Sequence, residues 1–217
     1  FKKANEIDDY IDAHFDYAFD EKYGYKTTFP TNTGTGMKAG YTLHLPSLSD
    51  ARRLNDISAE LGRFGLKFRT VYGDGQNGYG NLYQISTQKT LGQDEREVIK
   101  DLDDIVLQIV NQEKEQREHF YKKDKIQMDD EIYKSYGVLK YARKLSLKDS
   151  MVLISELMTG ISLGVLQFAH NGRYNINELI MDIQPAVLRQ NSGKAMSVAE
   201  TDVLRAEYIR KYLPEII

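Results

Sequence analysis

Apolar residues recur along this chain with two different periods. In residues 4–23, Ile7, Ile11, Phe15, Ala18 and Phe19 return every three or four positions between acidic side chains. That spacing predicts an amphipathic helix, stopped by Tyr23-Gly24-Tyr25. The polar stretch TTFPTNTGTG follows, and Pro30, Gly34 and Gly36 mark it as a loop. Residues 37–45 alternate and predict a strand ended by Pro46. Ser47 or Ser49 is placed to cap a helix reaching about Phe64, with Ala51, Leu54, Ile57 and Leu61 on one face and Gly65 as its break. Two further strands, 66–72 and 82–86, flank the glycine-rich Gly73-Asp74-Gly75-Gln76-Asn77-Gly78 and predict an antiparallel hairpin.

Beyond Leu91-Gly92 the period is helical throughout. Residues 95–122 predict a long helix striped by Val98, Leu102, Ile105, Val106, Ile109 and Val110, whose charged end QEKEQREHFYKK reads as solvated. Helices are predicted at 130–144, 146–162, 176–189 and 198–212, the third broken at Gln184-Pro185. Asp129-Asp130-Glu131 reads as an acidic helix start, and Tyr133, Tyr136 and Tyr141 as packing between tail helices. The expected fold class is α+β, an antiparallel sheet flanked by helices and followed by a helical C-terminal region. The boundary is placed between an α/β part, 1–125, and a helical part, 126–217.

Composition narrows the chemistry. The 217 residues contain no cysteine, which excludes disulfides, zinc–thiolate sites and a cysteine nucleophile. His14, His44, His119 and His170 are dispersed, so no histidine metal site is expected. A net charge of −3 argues against a nucleic-acid binder working by bulk charge. No apolar stretch approaches the roughly 20 residues of a membrane span, and no signal peptide is read. The chain opens on Phe1 rather than Met and is read as a fragment, or as lacking its first residues.

Three glycine-bearing segments carry candidate chemistry. They are PTNTGTG leading into Lys38, Arg69 followed by YGDG, and STQKTLG from Ser86 to Gly92. Free loop amides beside Lys or Arg suit an anion such as phosphate. Turns with solvated charges are the equally weighted alternative. Neither G-x-x-x-x-G-K-[ST] nor a strand-to-helix G-x-G-x-x-G is present. His44 is either an adenine neighbour or a structural histidine. Asp8, Asp9 and Asp12 read as a solvated helix face.

PTNTGTGMKAGYTLHLP resembles the PTN-x-GTG-x-R-A-S block of the ATP:guanidino phosphotransferases, the phosphagen kinases. RTVYGDG, NLYQISTQKTLGQDE, DEIYKSYGVLKYAR, ELMTGISLGVL and NELIMDIQPAVLRQNSG are similar to segments of the family's bacterial protein-arginine kinase branch. The resemblance implies a cytoplasmic enzyme that binds ATP with Mg²⁺ over an antiparallel sheet and phosphorylates arginine side chains in proteins. It implies nucleotide contacts at Lys38, Ala39, Gly40, Tyr41 and Thr42, and at Arg69, Thr70, Val71, Tyr72, Gly73 and Asp74. Asp74 falls where the branch has its catalytic glutamate. Asp202, Arg205 and Ala206 fall on a phosphoarginine-binding motif whose first arginine is Thr201 here.

Other positions depart from the family pattern. Phe29 replaces a cysteine, Lys38 an arginine and Thr87 an asparagine. The family's N-terminal helical domain, arginine-rich nucleotide motif and N-E-E-D loop lie outside this sequence. Implied partners are arginine-bearing protein substrates, a Clp-type unfoldase, an activator protein and a second copy in a dimer. A catalytically degenerate binding module or adaptor is the alternative reading.

Overall fold

The computed structural model describes residues 1–74, 78–92, 94–169 and 175–217. Within the predicted hairpin connection, Gly75, Gln76 and Asn77 lie outside the described residues, as do Gln93 and His170. The chain divides into two compact units. The first holds Phe1–Thr42, Asn55–Phe68 and Gln84–Ile109, and the second Leu43–Leu54, Arg69–Tyr83 and Val110–Ile217.

The opening helix is shorter than its apolar pattern predicts: α1 covers Lys2–Asp12 and buries no residue. Its carboxylates gather toward its C-terminal end, where the helix dipole opposes them. The aromatic residues that follow form a small hairpin instead, β1 (Phe19–Asp20) against β2 (Gly24–Tyr25). Asp20 accepts the Lys22 and Tyr23 amides in its turn, and the Phe19 and Tyr25 rings meet edge to face.

β3 spans Gly40–His44, β4 Leu66–Thr70 and β5 Leu82–Thr87, in the sheet order β3–β5–β4. The pairs Thr87 N to Ala39 O and Leu45 N to Asn81 O make β3 antiparallel to β5. Gln88 N to Gly65 O and Val71 N to Leu82 O do the same for β4, bearing out the predicted hairpin. The predicted single helix between β3 and β4 is two, α2 (Pro46–Asp50) and α3 (Leu54–Arg63). Arg52, with φ of 56°, breaks it. Neither Ser47 nor Ser49 caps α2; Pro46 occupies its first turn and no side chain of the flanking residue bonds there.

α4 runs from Glu95 to Lys123, and its charged end is not fully solvated. Glu113 is 3% exposed and Arg117 7%. The Glu113 carboxylate accepts the Ser47 and Leu48 amides at 3.1 and 2.9 Å, and the Arg117 guanidinium at 3.2 and 2.8 Å. A carboxylate buried at this depth requires such donors.

The remaining helices are α5 (Lys125–Tyr141), α6 (Leu147–Leu163), α7 (Ile176–Asp182), α8 (Pro185–Ser192) and α9 (Val198–Tyr212). α5 starts before the predicted acidic N-terminus. Asp129 accepts the Tyr121 hydroxyl and Asp130 pairs with Lys134, both inside the helix. Pro185 separates α7 from α8, as expected. Ser146 caps α6 and Ser197 closes a capping box on α9. Their core includes Ile132, Leu139, Ile154, Leu157, Ile183 and Ile209. Of the three tyrosines expected there, Tyr136 is buried and bonds Pro214 O, whereas Tyr133 and Tyr141 are 46% and 76% exposed.

His44 belongs to the fold: its Nε2 lies 2.8 Å from the Ser155 hydroxyl, which also accepts Asn81 Nδ2 at 3.1 Å. Burial, with the Arg117 charge, pushes its imidazole down to about 3. An unfolded histidine titrates near 6.5, so the unfolded chain binds the extra proton between those values. His44 therefore contributes stability in full above about pH 6.5 that is lost as pH falls toward 3.

Melting temperature is expected to fall on acidification below about pH 6.5, with a shallower slope in His44→Gln; parallel profiles would refute this. Glu113→Ala strands two helix amides and a buried guanidinium, and is expected to cost about 3–5 kcal/mol in urea unfolding. Glu118→Ala, on the exposed side of the same helix, is expected to stay within about 0.5 kcal/mol.

Candidate functional site

At its Lys38–Ser86 end the sheet leaves one set of alternating residues exposed or half-buried, whereas at the other end the same set is covered, Leu82 lying in the helical core and His44 meeting Ser155 of α6. On β5, Tyr83, Ile85 and Thr87 are buried while Gln84 and Ser86 are half-buried. In antiparallel pairing, opposed residues share a face. The Thr87–Ala39 pair therefore sets Gly40 opposite Ser86 and Thr42 opposite Gln84. Ala39 and Tyr41 fall on the other side, and the Tyr41 hydroxyl donates to Asp103 of α4 at 2.6 Å. That carboxylate raises the pKa of the Tyr41 phenol. Of the first predicted segment, Lys38, Gly40 and Thr42 thus face outward and are exposed, and Ala39 and Tyr41 do not share their face.

β4 alternates in the same way. Leu66 is buried and Phe68 and Thr70 are half-buried, whereas Lys67 and Arg69 are exposed. The Gln88–Gly65 pair sets Lys67 opposite Ser86. Lys67 and Ser86 join the outward face by register, which the sequence motifs alone did not single out. Period-two alternation of charge in LKFRT was the signal that could have found Lys67. The open face of the first unit thus carries Lys38, Lys67, Thr42 and Ser86, polar side chains that fit phosphate oxygens.

The second predicted segment lies in the second unit. Arg69 and Val71 are exposed, and Tyr72 stacks on Tyr79 with ring centroids 6.2 Å apart. The Thr70 hydroxyl faces Gly73 O at 3.5 Å, Gly73 takes a φ of 87°, and Asp74 is exposed at the head of the turn.

The PTNTGTG loop is not a row of free amides. Asn32 N donates to Phe29 O, Thr33 N to Pro30 O, Gly34 N to Tyr25 O, Thr35 N to Thr90 O and Met37 N to the Thr35 hydroxyl. Its conformation is set by tight packing: a Cβ on Gly34 would lie 1.9 Å from Thr90 O. Asn32 Oδ1 is buried without a partner among the described residues.

In α9, Arg205 is 1% exposed. Its Nε donates to Ile183 O at 3.0 Å, and its Nη1 to Leu145 O at 2.9 Å and to Asp202 at 2.6 Å. Burial and three internal acceptors give Arg205 and Asp202 a structural task, and Ala206, at 0% exposure, contributes its small size. These acceptors engage Nε and Nη1 of the guanidinium.

Another group escaped the sequence reading. Asp50, Glu131 and Glu156 line a cavity of about 320 Å³ in the second unit. Burial, then the neighbouring carboxylates, raises the pKa of Asp50 and of Glu156. Among the described residues no group of three or more His, Asp or Glu side chains is arranged to hold a metal ion. No helix of the described chain is long and apolar enough to cross a membrane.

Comparison with known proteins bears on this geometry. The family model of the ATP:guanido phosphotransferase C-terminal catalytic domain matches residues 1–116, and that of the protein-arginine kinase McsB C-terminal domain matches residues 125–216. The protein-arginine kinase of Bacillus subtilis (strain 168) is 40% identical over 212 residues, 98% of this chain and 58% of that protein. That of Geobacillus sp. (strain WCH70) is 41% identical over the same shares. The chain thus spans about 58% of the length of these curated relatives. Among solved structures, the duplicated taurocyamine kinase from Schistosoma mansoni with bound transition state analog components aligns with a TM-score of 0.45. It is 31% identical over 52% of this chain and 16% of that one. Matched by its catalytic-domain model over more than half its length, the chain belongs to the ATP:guanido phosphotransferase family.

Proposed function

We propose that this chain forms part of an ATP-dependent kinase that phosphorylates arginine side chains in proteins. The observation that carries the reading is the set of outward polar residues of the first unit, Lys38, Thr42, Ser86 and Lys67. The family match and the relatives named protein-arginine kinase support it. Residues 1–125 supply the nucleotide part and residues 126–217 a helical scaffold.

In this reading Lys38 and Arg69 hold phosphate oxygens of ATP by charge-assisted bonds. A guanidinium nitrogen of the acceptor attacks the γ-phosphorus in line, the bond to the ADP oxygen breaks, and Asp74 accepts the nitrogen's proton. Positioning and neutralisation of the phosphates supply most of the rate. Mg²⁺ accompanies the nucleotide in this family; its ligands are not assigned to this chain.

Calorimetry of the chain with Mg-ATP is expected to show binding, weakened at least about tenfold (roughly 1.4 kcal/mol) by Arg69→Ala. No heat of association, or an unchanged affinity in the variant, would overturn the reading.

A further inference from the structure

We infer that Thr87 and Thr90 act as a pair of positioning residues that hold the backbone on both sides of Lys38 and so set where its ammonium group stands. This rests on the nucleotide reading of Lys38. The two threonines are 6% and 4% exposed, too deep to meet a ligand themselves. Each grips the same loop. The Thr87 hydroxyl accepts the Ala39 amide at 3.1 Å, and its own amide donates to Ala39 O at 2.9 Å. The Thr90 hydroxyl reaches Thr33 O at 2.7 Å and Thr31 O at 3.1 Å, and its carbonyl accepts Thr35 N at 2.8 Å. Thr35 in turn accepts the Met37 amide on its hydroxyl at 3.3 Å. Lys38 is thus the exposed residue between two anchored ones, and both anchors come from one short segment at the end of β5.

The arrangement answers a physical need. A lysine carries a point charge on a four-carbon stem and lacks the planar fork with which arginine fixes its own geometry. Its stem is costly to order when a ligand binds, and a fixed backbone removes part of that cost beforehand. Gly34 allows the close approach, since any side chain there would strike the Thr90 carbonyl.

Thr87→Val and Thr90→Val keep shape and delete the hydroxyls. Each is expected to weaken Mg-ATP binding by about tenfold in calorimetry, with Thr90→Ser restoring it. In a Lys38→Ala background the same changes are expected to have no further effect, because they act through that amine. Equal affinity in the valine variants, or the same loss with and without Lys38, would overturn the inference while leaving the nucleotide reading intact. Failure of the unaltered chain to bind Mg-ATP would remove both. Should a valine variant not fold, hydrogen exchange on the unaltered chain decides. Saturating Mg-ATP is expected to slow the Thr35 and Ala39 amides several-fold, and unchanged exchange at both would refute the clasp.

Discussion

The Glu113 carboxylate meets four N–H donors, two from the first turn of α2 and two from Arg117 on its own helix. Without them a charge at 3% exposure would be untenable. With them, one side chain does the work of an N-cap for a five-residue helix that has none of its own. Because α2 begins two residues after β3 ends, the same contact fixes where that strand stops. The neighbouring His44–Ser155–Asn81 bonds depend on that placement, since His44 is the last residue of the strand.

Local signals in the sequence carried the fold as far as local signals can. Gly65 ended a helix and Pro185 split one, each by a conformational preference contained within a residue or two. The misses have a common physical cause. A run such as QEKEQREHFYKK looks solvated because its charges are visible, while the partners that bury two of them lie as far as 66 residues away in sequence or on another helix. The break at Arg52 had no sequence mark, since arginine rarely takes a positive φ.

The candidate site was legible as motifs more than as geometry. The motif placed Lys38 and Arg69, and strand alternation then sorted outward residues from inward ones, adding Lys67 and Ser86 and turning Tyr41 toward Asp103. In the glycine loop the amides of Asn32, Thr33, Gly34 and Thr35, expected free, are bonded to neighbouring carbonyls. Arg205 had no burial signal in the sequence, yet its guanidinium joins α9 to the carbonyls of Ile183 and Leu145.

Gly40 lies across from Ser86, and an added Cβ there would sit 2.8 Å from Ile85 O and 3.1 Å from the serine's own Cβ. The absence of a side chain at that crossing lowers the outward surface of the β3 row next to Ser86. The outward surface at that crossing is therefore backbone beside the Ser86 side chain, and only glycine lets β3 and β5 approach there without a clash.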